Sequence, residues 1–347
     1  MTSPELSERE RRVLEAVIQC YVETAEPAGS RTLTRRFGLG VSAATIRNTM
    51  SDLEEKGYLF HPHTSAGRIP TDKAYRVYVD SLMRVSPLLG SERLRLAEEI
   101  GAGGSAIATI LRRAAQSLGV LTQELGVALG PRLDQALLQR LELVRVAGDR
   151  LLMVLSLGGG AVRTIFVEVV GEIAQSAVAE VTLVLNERLA GLRLSEIRSS
   201  LGTRLRDATN ATESNELLNI FVQEGDQLFD LALPVDEDNV VIGQTSHLAE
   251  QPEFATGERM RRFIELTETR ERLAELLRRR STLPGISITI GNEHDDPRLE
   301  NLTIVTSEYR AGAFTGVIGV IGPTRMPYDK IIAMVAHTSQ LVTDLLD

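Results

Sequence analysis

An α+β chain of several domains is what this sequence predicts: a small helical head carrying a β-hairpin, then a larger mixed body interrupted by an insertion. Three observations predict it. Residues 1–85 contain short helical patterns, each with a single apolar face and each broken by Gly or Pro. Strand patterns occur in two groups, "QRLELVRVAG", "DRLLMVLSLGGG" and "AVRTIFVEVV" first, then "GISITIG", "LTIVTSEYRAG" and "FTGVIGVIGP" near the end. A mainly helical stretch separates the two groups, as an insertion into one α+β domain would.

The first helix opens at "LSERERR", where Ser7 can bond first-turn amides while Glu10 reaches back, a capping box. Val13, Leu14, Val17, Ile18, Tyr21 and Val22 then fall on one side. Pro27 and Gly29 break this helix, and Ser30 is read as the cap of a short second one with Leu33 and Phe37 inward, ended by Gly38 and Gly40. Ser42 caps a third helix with Ile46, Met50 and Leu53 inward, and Gly57 stops it. Two helices joined by a tight Gly-containing turn form a helix-turn-helix pattern.

The outward chemistry of the third helix suits base edges. Ala44 and Thr45 offer methyl groups to thymine, Arg47 can take guanine O6 and N7, and Asn48 can do the same for adenine N6 and N7. Amides at the helix starts, Ser30 and Ser42, could hold phosphates. From Arg31 to Met50 the charged residues are Arg31, Arg35, Arg36 and Arg47, with no acid among them.

"YLFHPH" follows as a β-prone run, "TSAG" as a turn and "RIPT" as a short return, which makes the wing of a winged helix. Arg68 is expected at its tip, entering a minor groove or meeting a phosphate. Thr71 caps a further helix with Tyr75, Tyr78, Val79 and Leu82 at helical spacing. His61 and His63 alternate on one strand face, but two ligands are too few for a metal site. "TSAGR" also lacks the glycines and the Lys-Ser/Thr pair of a phosphate loop.

In the body, "SERLRLAEEI" reads as a short helix within a linker, and Ile107 to Leu121 as a long helix. "SAVAEVTLVLNERLAGLRLSEIRSSLG" reads as a strand followed by helices starting at Asn186 and Ser195. Leu217, Leu218, Phe221, Leu228 and Phe229 mark an amphipathic helix, "VVIGQ" a strand, and residues 257–280 a long helix whose terminal Arg278, Arg279 and Arg280 form a solvated end. A last helix starts at Tyr328. Gly158 to Gly160 form a hairpin turn, with no following helix to make a phosphate cradle.

Composition is ordinary for a globular protein, 43% hydrophobic and 24% charged, with a net charge of −9. The charge is unevenly spread: residues 1–85 hold 12 basic and 11 acidic side chains, whereas the remainder holds 26 against 36. A locally basic head on an acidic body suits a DNA reader whose other parts do something else. Cys20 is the only cysteine, so neither an intrachain disulfide nor a thiolate cluster is expected. No segment has the apolar length of a membrane span and the start has no secretion-signal core, so a cytoplasmic protein is expected. Five scattered histidines (His61, His63, His247, His294, His337) and the absence of G-x-S-x-G, P-loop or dinucleotide fingerprints argue against an enzyme. "NEHDDP" at 292–297 reads as a polar loop between strands. No cofactor is expected.

The stretch "GSRTL…LGVSAATIRNTMSDLEEKGYLFHPHTSAGRIPTDKAYRVYVD" resembles the N-terminal region of the HrcA family of bacterial heat-inducible transcription repressors. The likeness continues through "QPEF" and "NLTIVTSEYRAG…GVIGVIGPTRMPYDKIIAMV", so it spans essentially the whole chain. Ala74 stands where the family commonly has Gly, a change that a helix interior accepts.

The resemblance implies an N-terminal winged helix-turn-helix, then a GAF-like α+β domain interrupted by an inserted, mainly helical dimerisation domain. Divided on that plan, residues 1–85 are the head, 86–104 a linker, 105–190 and 246–347 the two parts of the GAF-like domain, and 191–245 the insertion. It also implies a homodimer on double-stranded DNA at an inverted-repeat (CIRCE-type) operator of chaperone operons. Activity would be supported by a GroEL-type chaperonin and lost under heat stress. A different expectation from the same domain plan is a ligand-gated regulator, sensing a small molecule through the GAF-like domain.

Overall fold

The structure is a computed structural model; it describes residues 6–62, 67–102, 107–131, 136–147, 150–158, 162–169, 173–205, 216–223, 240–255, 261, 264–265, 269–280, 285–312 and 314–346. The head begins with α1 (Glu8–Thr24), α2 (Ser30–Phe37) and α3 (Ala43–Glu55). A two-stranded antiparallel ribbon of β1 (Leu59–Phe60) and β2 (Ile69–Pro70) follows, then α4 (Asp72–Val77), which runs on into a π-helical turn, Tyr78–Leu82.

The expected capping box is present. Ser7 N–H donates to Glu10 at 2.8 Å, and Glu10 N–H donates to the Ser7 hydroxyl at 3.3 Å. Val13, Leu14, Val17, Ile18, Leu33, Ile46, Met50 and Leu53 are buried, so the apolar faces read from spacing are the faces that pack.

Glu10 is itself buried, and Lys56 at the end of α3 donates to it at 2.6 Å, locking α1 to α3. That ammonium, with the Ser7 bonds, pulls the Glu10 carboxyl down to about 2 against the opposing cost of burial. A carboxylate with a depressed folded-state pKa stabilises the head above its ordinary range. That contribution is lost as pH falls through about 2. We expect Glu10→Gln to lower stability by about 2 kcal/mol at neutral pH and to leave less acid-induced loss between pH 5 and 2, read by denaturant titration at each pH.

The body starts with α5 (Gly90–Gly101) and α6 (Ile107–Thr122), then β3 (Leu125–Leu129). The chain next forms the meander β4 (Leu138–Ala147), β5 (Arg150–Leu157) and β6 (Val162–Glu168), followed by α7 (Gln175–Leu189), α8 (Leu194–Leu205) and α9 (residues 216–223). It re-enters through β7 (Val240–Ile242) and the short helix α10 (Ser246–Ala249). The rest comprises α11 (Arg270–Arg280), β8 (Ile286–Ile290), β9 (Leu302–Ala311), β10 (Phe314–Pro323) and α12 (Tyr328–Leu346).

Strands from both ends of the body form one five-stranded antiparallel sheet, ordered β7-β3-β10-β9-β8. Alternation along β10 divides its faces. Val317 and Ile321 point toward α11, packing with Leu273 and Leu277. Ile318 and Val320 share a core with α6 and α12, and that same core continues into the head. Glycine permits the close fit of α6 on β3: a Cβ at Gly126 would stand 1.8 Å from the Ala115 carbonyl oxygen.

β4, β5 and β6 form a separate three-stranded sheet with its own core against α7, α8 and α9, including Leu141, Met153, Val181, Ile197 and Phe221. Residues 136–223 are therefore one packed unit containing both strands and helices. The division expected at residues 190 and 191 falls between α7 and α8, inside it. Sequence patterning finds strands but not their sheet partners, so it does not separate the meander from the first part of the body. The segment from Ser176 to Asn186 is helical and not a strand. Ala177, Val178, Val181, Leu185 and Leu189 are its buried positions, at helical spacing despite the Val-rich composition. Asn186, expected at a helix start, lies near the end of α7 and pairs with the backbone of β4. Its Oδ1 accepts from Leu141 N–H at 2.8 Å and its Nδ2 donates to Leu141 C=O at 2.6 Å, standing in for a neighbouring strand.

Two further expectations change. The short helix expected within the linker forms as α5, but it is docked into the core through buried Leu96 and Ile100. Of the arginines at the end of α11, Arg280 is buried rather than solvated. His63, Leu228, Phe229, Gly159 and Gly160 lie outside the described residues.

The head is joined to the body at named contacts. Arg76 of α4 forks onto Glu293, with Nε to Oε1 at 2.7 Å and Nη2 to Oε2 at 2.5 Å, and Nη2 also donates to Ile288 C=O at 2.8 Å. This pairing holds Glu293 below the usual carboxylate range although burial opposes it. Asp72 accepts from Asn292 N–H at 2.9 Å. Gly291 has a φ of +51°, and a Cβ there would meet the Asp72 carboxylate at 2.1 Å, so both conformation and space require glycine. Arg325 donates to Val22 C=O, in the last turn of α1, at 2.8 Å and is held by Glu253 at 2.5 and 3.0 Å.

Candidate nucleic-acid interface

The third helix is organised from its first turn. The Ser42 hydroxyl accepts from Thr45 N–H at 3.1 Å and lies 3.0 Å from the Thr45 hydroxyl, so Ser42 is the N-cap expected of it. Ile46, Thr49, Met50 and Leu53 are buried, which fixes the rotation of the helix and turns Ala44, Arg47 and Asn48 outward. Thr45 is half-buried at the edge of this exposed strip. Neither Arg47 nor Asn48 forms a side-chain hydrogen bond or ion pair among the described residues.

On α2 the picture differs from expectation. Gly29, not Ser30, occupies the N-cap position, and it makes no side-chain cap. Ser30 is the first helical residue and is buried, with its carbonyl accepting from the Thr34 hydroxyl at 2.8 Å. Arg31 and Arg35 are exposed and without an ion-pair partner among the described residues, whereas Arg36 pairs with Glu23 across the α1–α2 corner. Arg35 belongs with these outward cations, beside the residues expected to contact bases. Its signal in the sequence is the acid-free run from Arg31 to Met50.

Arg68 is held from two sides. It lies at the loop end of the ribbon, next to Ile69, where Arg68 N–H donates to Ala28 C=O and Ala28 N–H to Arg68 C=O, both at 2.9 Å. Its side chain is only 12% exposed and pairs with Glu54 at 2.7 Å; Glu54 also meets His61 Nδ1 at 2.8 Å. The preceding glycine is obligatory, since a Cβ at Gly67 would stand 2.3 Å from the Ala28 carbonyl oxygen. Arg68 therefore ties the ribbon to α3 and to the α1–α2 connection. The backbone bridge to residue 28 has no local sequence signal, which is why "TSAGR" reads as a tip ending in arginine. Among the described residues, no group of three His, Cys, Asp or Glu side chains converges as a metal site would, and no helix is long and apolar enough to cross a membrane.

Comparison with known proteins follows this geometry. A family model described as the C-terminal domain of the HrcA protein matches residues 108–332. A heat-inducible transcription repressor HrcA from Chlorobium phaeobacteroides (strain BS1) is 40% identical over 99% of both chains. The protein of that name from Geobacter sulfurreducens is 38% identical, again over 99% of each. A solved structure, the crystal structure of a hypothetical protein at 2.2 Å resolution, aligns over 99% of each chain with a TM-score of 0.63 and 21% identity, a likeness of fold. These relatives define the class as transcription repressors, a regulatory role. The chain belongs to the HrcA family of heat-inducible transcription repressors.

Proposed function

We propose that this repressor reads an inverted-repeat operator as a homodimer, each head laying α3 in the major groove of one half-site. On this reading the head is a winged helix-turn-helix. The five-stranded sheet with its helices is a GAF-like domain, and residues 136–223 are the insertion that dimerises. The observation that carries the reading is the outward strip of α3, Arg47 and Asn48 uncommitted to any partner on a helix whose rotation is fixed by buried Ile46, Thr49 and Met50. Arg31, Arg35 and the Ser42 end of α3 supply the flanking phosphate contacts. Arg68, paired with Glu54, acts as a positioning residue for the ribbon.

The outer face of the meander supports the dimer. Val144, Leu152 and Phe166 stand in register across three strands, with Val144 46% and Phe166 63% exposed. An apolar cross-strand row left in water is what a two-fold, self-complementary interface would cover. The protein acts in the cytoplasm, and heat lowers the population of the folded dimer, which a GroEL-type chaperonin restores. A marginally stable fold converts a small loss of stability into a several-fold loss of active protein.

Arg47→Ala is expected to lose roughly 1–3 kcal/mol of discrimination at one guanine of the half-site, measured by titrating operator and base-substituted duplexes. An equal loss on operator and random DNA would remove Arg47 from base readout.

A further inference from the structure

The body contains a buried cation with no ion-pair partner among the described residues; Glu293, held by Arg76, attracts it without bonding it. Arg280, at the end of α11, is 8% exposed. Among the described residues, every hydrogen bond it makes goes to a neutral oxygen. Nη2 donates to the Thr289 hydroxyl, while Nη1 reaches Ser287 C=O, the Ser287 hydroxyl and Ile304 C=O, each at 3.4 Å, the long end of the hydrogen-bond range. Buried guanidinium groups are ordinarily matched by a carboxylate, because removing the charge from water costs several kcal/mol that only a counter-charge offsets. Burial draws the Arg280 guanidinium down to about 10, so it remains charged at neutral pH.

Arg280 lines a cavity of about 630 Å³ between α11 and the turn after β8. The acids around this cavity are committed elsewhere. Glu275 pairs with Arg279 at 2.7 Å, Glu293 with Arg76, and Asp296 with Arg298, while Asp295 is turned out to solvent at 99% exposure. Arg272, also on the wall, has no carboxylate partner among the described residues. Two guanidinium groups thus line the same space with no ion-pair partner among the described residues. Beside them, Ser287 and Thr289 supply hydroxyls. His294 is kept neutral chiefly by burial, with Arg280 adding to it; its Nε2 donates to Leu302 C=O at 3.1 Å, which leaves Nδ1 as an acceptor. That set matches an oxyanion, including one that carries a proton.

We propose that this cavity is a binding site for a small oxyanion, a carboxylate- or phosphate-bearing metabolite, anchored on Arg280 and assisted by Arg272. The site does not depend on the reading of the DNA interface. Its wall is the turn whose Glu293 holds Arg76 of the head, so an occupant would sit beside the head–body joint.

The test is calorimetric titration of the full chain with inorganic phosphate and, separately, with succinate, at constant ionic strength. Saturable binding of one ion per chain is expected. A preference between the two probes identifies phosphate or carboxylate as the source of the shared chemistry. Arg280→Gln should weaken binding at least tenfold and the exposed Arg272→Gln several-fold; the latter keeps the test valid if loss of Arg280 disturbs folding. Absence of saturable heat with both probes in the millimolar range, or unchanged affinity in Arg272→Gln together with unchanged affinity in a folded Arg280→Gln, would overturn the site.

Discussion

Arg325→Ala is expected to destabilise the protein by about 3 kcal/mol and to loosen the head from the body. The guanidinium is largely buried and has two tasks at once. It forks onto Glu253, and it donates to Val22 C=O, one of the carbonyls that the end of α1 leaves without an intrahelical partner. Alanine leaves Glu253 without its bidentate cation in a site where that carboxylate is only 20% exposed, and uncaps α1 where its macrodipole is negative. Arg325→Lys keeps the charge but not the planar fork, so an intermediate loss is expected. The melting temperature should fall by about 6 °C or more for alanine, and amides at the end of α1 should exchange faster than those of α6. A uniform increase in exchange over both helices would assign Arg325 to general stability and not to the joint.

The second large effect is expected at Gly126. Alanine there would place its Cβ 1.8 Å from the Ala115 carbonyl oxygen, and that obstacle is backbone, so no rotamer change relieves it. β3 is held on both sides, by β7 and β10, and cannot shift without opening the sheet. Either α6 moves away from β3, or the strand leaves its register. A loss of about 3 kcal/mol or more is expected, at the upper end for overpacked cores, with purified protein of low yield and early thermal unfolding. Gly101→Ala, at a glycine whose added Cβ meets no atom within 4 Å, should by contrast leave the melting temperature nearly unchanged. Equal stability of Gly126→Ala and the wild type would mean that α6 does not ride on β3 as closely as described.

Local signals made the head legible. The capping box at Ser7, the Ser42 cap, the inward Ile46, Met50 and Leu53 and the return through Ile69 and Pro70 all depend on residues a few positions apart. What escaped the sequence depends on distance along the chain. Arg76 finds Glu293 across 217 positions, and Arg325 finds Val22 across 303. Arg68 finds residue 28 with its backbone and Glu54 with its side chain, contacts that local patterning does not announce. Within the body, the alternation of β4 to β6 was plain, but whether those strands joined β3 or formed their own sheet is a tertiary outcome. The Val-rich α7 shows the remaining ambiguity: β-branched composition favours a strand, and only the three- and four-residue spacing of its buried positions speaks for a helix. Of the residues proposed for the interface, Ser42, Ala44, Arg47 and Asn48 lie where spacing puts them, since a helix with three inward anchors leaves little freedom to its other face.

The central claim is that α3 reads sequence in each half of a two-fold site. It is tested most directly by fluorescence anisotropy of the full chain on an inverted-repeat duplex and on the same duplex with scrambled half-sites, at several salt concentrations. We expect the inverted repeat to be bound at least about a thousand-fold more tightly, with the preference persisting as salt rises and shrinking in Arg47→Ala. Equal affinity for both duplexes at every salt concentration would contradict it.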